Sequence, residues 1–367
     1  MRVLHVVGAR PNFVKTAPVM AEMSRSPELF EQVLVHTGQH YDHAMSQVFF
    51  DDLGLPEPHV FLGVGSGSHA QQTARTMLAF EPVVADRRPD WVFVVGDVNS
   101  TLACALVCAK LGVRLAHVEA GLRSRDRSMP EETNRVLTDQ LADLLFTPSR
   151  DGDENLLNEG ISHSKIRFVG NVMIDTLVRL LPAARERTVV SDMGLTPGGF
   201  VLVTLHRPAN VDRQEGLAEV LAALVRIAGD VPVVFPVHPR TRLAMTKALG
   251  DDVQPALRLL EPLGYLDFLS LTTAAGVVLT DSGGIQEETT YLGVPCLTVR
   301  PNTERPITVE IGTNRLVAPA RDAIVNAVRS RLAEPRGAPR VPELWDGAAA
   351  PRIIEALLHA ESAARDR

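Results

Sequence analysis

The sequence predicts an α/β fold with two doubly wound parallel-sheet domains that face a cleft. The first observation is length, because 367 residues exceed what one compact core usually holds. The second is a series of short runs rich in Val and Leu, each followed by a stretch with helical periodicity. The third is that these runs are continuous rather than alternating, which is typical of strands buried on both faces of a parallel sheet. Helical crossovers between such strands give the doubly wound arrangement.

The predicted strands divide into two groups along the chain. The first group covers 2–8, 33–38, 91–97, 114–120, 144–149 and 166–171, and the second covers 200–207, 231–239, 257–262, 276–282 and 294–300. Between them, the stretch 171–198 is polar and rich in Gly and Pro, which favours a domain join there. We therefore predict an N-terminal domain over 1–172, a C-terminal domain over 173–350, and a C-terminal helix over 351–367 that packs back on the first domain.

Composition excludes several classes of protein. The net charge is −7, which does not favour a nucleic-acid-binding protein. No apolar run approaches the roughly 20 residues of a membrane span, and the opening MRVLHVVGARPN is typical of a first strand rather than a signal peptide. The three sparse cysteines, Cys104, Cys108 and Cys296, favour buried thiols in a reducing cytoplasm over a disulfide or a zinc site.

Acidic residues follow two of the predicted strands. Asp97 and Glu119 lie at strand ends, and Glu131 lies at a predicted helix start in RSMPEETNR. Ligands of open parallel sheets bind beyond the carboxyl ends of the strands, so these acids are candidates for acid–base catalysis in an interdomain cleft. The alternative is helix capping for Glu131 and Glu132 and turn chemistry for Asp97.

Basic residues gather at the same predicted edges. Arg10 and Lys15 flank the first strand–helix turn, GARPNFVKTAP, Arg135 follows the acids, and Arg305 lies in the loop PNTERP. An acidic protein with cations in its cleft is suited to an anionic ligand. A solvated basic face is the alternative, and it explains Arg10, beside a buried strand end, less well.

Three comparisons with known motifs disfavour particular reactions and cofactors. The sequence has no G-x-x-x-x-G-K-[ST] loop, which disfavours nucleoside-triphosphate hydrolysis of that type. The stretch GVGSGSH, 63–69, lacks the third glycine and the preceding long strand of an NAD site. The histidines of HTGQHYDHA fit no strong metal-ligand spacing. We therefore expect neither a metal nor another cofactor.

The stretch LTDSGGIQEETTYLG, 279–293, combines a glycine turn with two acids. Gly283 and Gly284 expose backbone N–H groups at a helix N-terminus, which is an anion site. Glu288 lies about one turn further along, where it reaches sugar hydroxyls rather than the phosphate. The pattern predicts a nucleoside diphosphate that carries a sugar, with Glu287 structural. The alternative is a capped helix with surface acids.

Seven ordered motifs resemble one enzyme family. The motifs GARPNFVK, GDVNST, HVEAGLRS, MPEETNR, HRPAN, DSGGIQEE and NTERP are similar to those of the non-hydrolysing UDP-N-acetylglucosamine 2-epimerases. The resemblance implies two Rossmann-like domains in a GT-B-like arrangement, a homodimer, and cell-surface polysaccharide biosynthesis. It implies reversible inversion at C2 between UDP-GlcNAc and UDP-ManNAc without metal or NAD.

The resemblance also implies roles for individual residues. A base removes the C2 proton while UDP departs, which gives a 2-acetamidoglucal to which UDP adds back. The implied catalytic residues are Asp97, Glu119, Glu131 and His206. The resemblance does not assign which of the three carboxylates acts as base and which as acid. By the resemblance, Arg10, Arg135 and His206 contact the diphosphate, with Lys15 nearby, and Ser282, Gly283 and Gly284 hold phosphate. Glu288 takes the ribose, Leu263 and Phe268 bind the uridine base, and Arg305 joins the substrate-binding set.

The chain departs from the family pattern at two places. HRPAN has Pro208 and Ala209 where many members have HRREN, and TGQHYDHAM is longer than the segment that binds an activating second UDP-GlcNAc in some bacterial members. The candidates for that allosteric site are Gln39, His40, Arg75 and His238.

Other functions stay open at this point. A close variant acts on UDP-2,3-diacetamido-2,3-dideoxyglucuronic acid, and two further classes are a GT-B glycosyltransferase and a non-catalytic nucleotide-sugar sensor. A transferase needs an acceptor and has no reason to exchange the C2 hydrogen. A sensor binds UDP without turnover.

Overall fold

A computed structural model describes residues 1–38, 49–207, 210, 214–237, 242, 245 and 257–365. Contacts within the chain define two compact units. The first contains Met1–Arg179 with Glu343–Arg367, and the second contains Leu180–Pro342. The functional domain boundaries proposed from the sequence stay predictions. No helix in the described part of the chain combines the length and apolar character needed to span a bilayer.

The first unit contains a seven-stranded, all-parallel sheet. Its strands are β1 Arg2–Val7, β2 Glu31–His36, β3 Val60–Phe61, β4 Trp91–Val95, β5 Arg114–Val118, β6 Leu144–Thr147 and β7 Ile166–Phe168. Their order across the sheet is β3-β2-β1-β4-β5-β6-β7, so the chain winds outward in both directions from β1 and β4. The six strands predicted here are confirmed, whereas β3, with two residues at the sheet edge, was not predicted.

Helices cover both faces of this sheet. They are α1 Arg10–Met23, α2 His69–Arg87, α3 Asn99–Leu111, α4 Pro130–Leu141, α5 Arg150–Asn158, α6 Val172–Arg185 and, at the end of the chain, α13 Ala349–Arg365, with a short 3-10 helix at His163–Lys165. Alternate strand residues enter separate cores, because successive side chains point to opposite faces. Leu4 and Val92 lie in one core with Cys104, while Val3 and Phe93 lie in the other.

The second unit contains a six-stranded, all-parallel sheet with the same winding. Its strands are β8 Val201–Thr204, β9 Val233–Pro236, β10 Leu257–Leu260, β11 Val277–Thr280, β12 Cys296–Val299 and β13 Asn314–Val317, in the order β10-β9-β8-β11-β12-β13. Its helices are α7 Val189–Asp192, α8 Gln214–Ala228, α9 Tyr265–Ala274, α10 Gly283–Leu292, α11 Pro306–Glu310 and α12 Arg321–Ala333. The five predicted strands are confirmed, and β13 was missed. The predicted α/β class with two parallel-sheet domains is therefore correct.

Sharp turns at the carboxyl ends of the strands give the site its geometry. Gly96 follows β4 with φ +67°, and Glu119 follows β5 with φ +69°. A left-handed backbone is uncommon for a residue with a side chain, and it is found most often where surrounding contacts hold it in place. These two turns place Asp97 and Glu119 at neighbouring strand ends.

Candidate active site

The end of β5 carries a buried ion pair. The Lys15 ammonium contacts the Glu119 carboxylate, and both residues are buried. A Cβ atom at Gly96 would lie 3.1 Å from Lys15 Nζ and 3.4 Å from Glu119 Oε2. The pair therefore packs directly against the backbone at the end of β4, and glycine there leaves room for it.

Asn12 ties the first turn of the unit to the same strand end. Its Oδ1 accepts hydrogen bonds of 3.0 Å from the backbone N–H groups of Gly8 and Ala9, and its Nδ2 donates to the Val95 carbonyl at 3.0 Å. The segment GARPN is thus fixed beside β4 by one buried side chain. The side chain of Arg10, predicted to bind the diphosphate, lies outside the described part of the structure.

Arg135 links Asp97 to α4. Its guanidinium forms one ion pair with Asp97 and another, at 2.5 Å, with Glu132. Glu132 also accepts hydrogen bonds from the backbone of Ser124 and Arg125 at 3.0 and 2.8 Å. Burial would raise the pKa of Glu132, but these bonds and the Arg135 charge lower it below its ordinary value. Glu132 therefore holds the loop after β5 and orients Arg135, rather than capping its own helix.

The third predicted acid lies on the same helix. Glu131 is half-buried in the first turn of α4, one helical turn before Arg135. Asn134, also on α4, donates to the Asp97 carbonyl at 2.9 Å. The structure thus brings α4 to the end of β4, with Asp97 held by two α4 side chains and Glu131 at the start of the helix.

In the second unit, Asp281 fixes the turn that carries His206. Asp281 is fully buried after β11, and its carboxylate accepts from the backbone N–H groups of His206 at 3.1 Å and Arg207 at 2.9 Å. Asn210 Nδ2 donates to it at 3.0 Å, and the His206 ring lies 3.1 Å away. Burial opposes its ionisation, but bonds from His206 and Asn210 lower the pKa of Asp281. The His206 side chain itself is 63% exposed.

The helix α10 begins beside a buried cluster of charges. Its N-cap is Ser282, whose side chain makes no capping bond, so its hydroxyl does not satisfy the first-turn N–H groups. Arg305 pairs with Glu287 at 2.9 Å and with Glu304 at 2.7 Å. A Cβ atom at Gly283 would lie 2.8 Å from the Arg305 guanidinium carbon. The predicted residues Ser282, Gly283 and Arg305 therefore come together at one end of α10, beside backbone N–H groups.

Glu288 is buried one turn into α10. The Tyr265 hydroxyl donates to Glu288 Oε1 at 2.8 Å, and Glu288 Oε2 has no hydrogen-bond partner among the described residues. Burial raises the pKa of Glu288 to about 7, with the Tyr265 bond opposing and the Glu287 charge assisting. Because Glu287 and Glu288 are both buried, the alternative of surface acids on this helix is wrong.

The remaining predicted residues fall into two groups. Leu263 and Phe268 are half-buried against the core of the second unit. Arg75 is exposed on α2, where its Nη1 donates to the Ser66 carbonyl at 3.2 Å. The other allosteric candidates, Gln39, His40 and His238, lie outside the described residues, as do Pro208 and Ala209.

The cysteines do not form a reactive centre. All three are free and buried, and burial raises the pKa of Cys108 to about 12 and that of Cys296 to about 11. Within the described ranges, no group of three or more His, Cys, Asp or Glu side chains could hold a metal ion.

Several residues of the site were missed by reasoning from the sequence. Asn12, Glu132 and Asp281 lie inside the motifs GARPNFVK, MPEETNR and DSGGIQEE, and a strand-end acid such as Asp281 is itself a signal. Glu304 lies inside the motif NTERP, but its ion pair with Arg305 becomes apparent only in the folded structure. Tyr265 has no such signal, because its contact with Glu288 depends on tertiary packing.

Two all-parallel sheets, with charged side chains at the carboxyl ends of their strands, place the protein among α/β enzymes with two Rossmann-like domains. The family model described as UDP-N-acetylglucosamine 2-epimerase matches residues 21–358. The chain belongs to this family, and it is therefore a sugar-nucleotide 2-epimerase, an isomerase.

Relatives of this family are similar over nearly the whole chain. A UDP-N-acetylglucosamine 2-epimerase of Methanocaldococcus jannaschii is 40% identical, with 92% of this chain and 93% of the relative aligned. A UDP-2,3-diacetamido-2,3-dideoxy-D-glucuronate 2-epimerase of Pseudomonas aeruginosa is 44% identical, with 90% and 92% aligned. The crystal structure of the M. jannaschii UDP-GlcNAc 2-epimerase in complex with UDP-GlcNAc and UDP has a TM-score of 0.89, covering 98% of this chain and 100% of that one at 38% identity.

Proposed function

We propose that this protein interconverts UDP-GlcNAc and UDP-ManNAc by inverting C2 of the sugar. The observation that supports this most directly is the similarity, over 98% of the chain, to an epimerase whose structure contains UDP-GlcNAc and UDP. The two charged strand-end clusters described above are consistent with a substrate that has a diphosphate and a sugar. The proposal covers the substrate, the reaction and the roles of the residues.

The reaction proceeds by elimination and re-addition. A base takes the C2 proton, the C2–H electron pair becomes the C1–C2 double bond, and the C1–O pair leaves with UDP. The 2-acetamidoglucal then receives a proton on the other face of C2, and UDP returns to C1. Because C2–H is a poor acid, stabilisation of the departing diphosphate lowers the barrier to its removal.

The first unit supplies the acid–base groups in this proposal. Asp97, Glu119 and Glu131 are the candidates for proton transfer at C2. Two of them are already held by cations, Asp97 by Arg135 and Glu119 by Lys15. Their placement matters here, because proton transfer needs hydrogen-bond reach to the reacting hydrogen, about 2.6–3.2 Å between heavy atoms.

The second unit holds UDP in this proposal. The first-turn N–H groups of α10, the Ser282 hydroxyl, Arg305 and the exposed His206 ring bind the diphosphate, with Arg10 as a further contact. Glu288 accepts from the ribose hydroxyls, which supplies a partner for its buried Oε2. Leu263 and Phe268 offer apolar surface to the uracil ring.

Further parts of the proposal depend on the family resemblance alone. They are a homodimer, a place in cell-surface polysaccharide biosynthesis, a cytoplasmic location, and activation by a second UDP-GlcNAc near Arg75. Size-exclusion chromatography with light scattering tests the dimer. The initial rate as a function of UDP-GlcNAc concentration tests the activation, which predicts a sigmoidal curve.

A second candidate substrate is UDP-2,3-diacetamido-2,3-dideoxyglucuronic acid. The observation in its favour is the 44% identity to the P. aeruginosa epimerase named for that sugar. Both substrates share the C2 acetamido group and the UDP leaving group, so the same acids and the same α10 site serve either one. The groups at C3 and C6 distinguish them.

Proton NMR in D2O with each sugar nucleotide tests the proposal. We expect deuterium to enter C2, the C2-inverted sugar nucleotide to accumulate, and no net release of UDP. Comparison of kcat/KM for the two substrates identifies the preferred one. Stoichiometric UDP with free sugar would indicate a hydrolase, and retention of the C2 hydrogen with both substrates would contradict epimerisation and favour a transferase or a sensor.

A further inference from the structure

His117 is enclosed by two hydrogen-bond acceptors beneath the predicted catalytic acids. It lies on β5, two residues before Glu119, and is fully buried. Its Nδ1 lies 2.6 Å from Asp139 Oδ1, and its Nε2 lies 2.8 Å from the Gly96 carbonyl oxygen. A neutral imidazole carries one N–H donor, whereas two ring donors require the imidazolium form. The protonation of this ring therefore depends on the state of Asp139.

The surroundings of Asp139 require it to be an acceptor. Its Oδ2 pairs with Arg123 at 2.7 Å and accepts from the Gly121 backbone N–H at 3.1 Å. Burial would raise the pKa of Asp139, but its charged and hydrogen-bonding neighbours, His117 and Arg123, lower it. The Arg123 charge and the Gly121 N–H act on Oδ2, so they favour the carboxylate independently of the His117 ring. Arg123 is also held by Glu159, at 2.7 Å. Because Asp139 is a carboxylate and the Gly96 oxygen is a carbonyl, both His117 nitrogens must donate.

This pair joins the three segments that carry the proposed acids. The Gly96 carbonyl belongs to the peptide unit that connects Gly96 to Asp97. The Gly121 N–H lies two residues after Glu119, and Asp139 lies on α4, the helix that starts with Pro130 and Glu131. One buried carboxylate and one buried ring therefore connect the ends of β4 and β5 to α4.

We propose that His117 is a positioning residue. In this proposal its ring is a doubly protonated imidazolium that is held by Asp139 and fixes the Gly96–Asp97 peptide. The spacing of the catalytic acids is fixed with that peptide. This inference rests on the proposed function for its kinetic consequence and on hydrogen-bond geometry for the protonation itself. A charged donor makes a stronger bond to the Gly96 carbonyl than a neutral one. The left-handed backbone at Gly96 thereby gains a partner that holds it in one place.

Substitution of His117 distinguishes a positioning role in catalysis from a role in core packing alone. In His117→Gln, a neutral amide with a different shape replaces the imidazolium. We expect kcat for C2 exchange to fall by about 10- to 100-fold, since misplacement of about 1 Å can cost about 100-fold. The Kd for UDP should stay within about twofold, because the proposed UDP contacts belong mainly to the second unit.

The matched control is His5→Gln. His5 is a buried histidine on β1 of the same sheet, with its pKa lowered to about 3 by burial despite a hydrogen bond with Gln32. Its loss should lower thermal stability and leave kcat unchanged. Equal kcat in His117→Gln and wild-type protein, or an equal loss of kcat in both variants, would overturn the positioning role.

The protonation state is measured on the wild-type protein without substrate. Full-length protein with 15N-labelled histidine, assigned through its own backbone signals, should show two ring N–H groups for His117 at neutral pH. One ring N–H would overturn the proposal even if His117→Gln failed to fold. If wild-type protein exchanges no C2 hydrogen while His117 shows two ring N–H groups, the proposed function fails and the hydrogen-bond assignment stands.

Discussion

The Tyr265 hydroxyl donates a 2.8 Å hydrogen bond to Glu288, and the other carboxylate oxygen of Glu288 is buried without a hydrogen-bond partner among the described residues. The two residues lie on consecutive helices, α9 and α10, and both are buried. A buried polar atom without a partner costs free energy, and this supports the proposal that the ribose of UDP supplies the partner.

Glu288 makes stability depend on pH. Its pKa is raised from 4.5 to about 7 in the folded protein, first by burial. The folded state therefore binds this proton more tightly, so the contribution is present at pH below 4.5 and is lost as pH rises through 7. The full loss corresponds to about 3 kcal/mol of unfolding free energy. Glu288→Gln should remove this dependence, so the stability of the variant relative to wild type should increase between pH 5 and pH 8.

Urea unfolding of both proteins across this pH range measures the effect. Tyr265→Phe is the informative control, because it removes the bond that lowers the pKa of Glu288. In this variant the total loss of stability with pH should be larger and should extend to higher pH. Parallel stability curves for wild type and Glu288→Gln would show that the carboxyl does not titrate differently in the folded and unfolded states.

The same carboxylate should distinguish ribose from its deoxy analogues. Wild-type protein is expected to bind UDP about tenfold or more tightly than 2′,3′-dideoxy-UDP, because the analogue leaves the buried Glu288 oxygen unpaired. In Glu288→Leu the ratio of the two Kd values, measured by calorimetry, should approach one. An unchanged ratio in the variant would assign ribose recognition to other residues.

The predicted fold was accurate where strands are buried on both faces. Continuous runs such as WVFVV in β4 have a simple signature in the sequence. The two missed strands are at sheet edges. β3 has two residues, with Phe61 49% exposed, and β13 alternates buried Asn314 with exposed Arg315. These two strands lack the continuous apolar pattern, and their existence depends on pairing with a neighbour that only the fold supplies.

The candidate site was predictable in its strand-end residues and less so in their partners. Asp97 and Glu119 follow recognisable strands, whereas their cations, Arg135 and Lys15, are 38 and 104 residues away in the chain. His117 lies within the quoted motif HVEAGLRS, but its link to Asp139 follows from tertiary packing. Periodicity indicates which face of an element is buried, and it carries no information about which polar groups meet there.

Gly283 should be intolerant of a side chain. An alanine Cβ would lie 2.8 Å from Arg305 Cζ and 3.0 Å from Glu304 Oε1, so the ion pairs at the start of α10 must shift. We expect Gly283→Ala to weaken UDP binding by about tenfold or more, since a charged hydrogen bond contributes about 1.5–3 kcal/mol. Calorimetry gives the Kd, and thermal unfolding gives the change in stability.

The matched control for this change is Gly337→Ala, in the same unit. A Cβ atom there meets nothing within 4 Å, and its φ is not in the left-handed region. UDP affinity and thermal stability should both match wild type in this variant. If Gly283→Ala also binds UDP like wild type, the start of α10 does not hold the diphosphate.

Isosteric substitutions distinguish a role of the three proposed acids in catalysis from a role in UDP binding. Asp97→Asn, Glu119→Gln and Glu131→Gln remove one charge each while keeping side-chain size. Each should bind UDP with a Kd within a few-fold of wild type, because the proposed contacts of α10 are untouched. Each should lower the rate of C2 deuterium exchange by about 100- to 10,000-fold, the usual contribution of general acid–base catalysis.

The exposed Glu154 on α5 provides a control, since Glu154→Gln should leave both the Kd for UDP and the rate of C2 exchange unchanged.

Glu119→Gln has a second expected effect, on stability, that the other two acids do not share to the same degree. It leaves the Lys15 ammonium buried against a neutral amide, and breaking a buried ion pair by removing one partner costs about 3–5 kcal/mol. Urea unfolding should therefore show a larger stability loss for Glu119→Gln than for Glu131→Gln, whose side chain is half-buried at the helix start. Unchanged exchange rates in all three variants would contradict the assignment of these carboxylates to proton transfer, whatever their effect on stability.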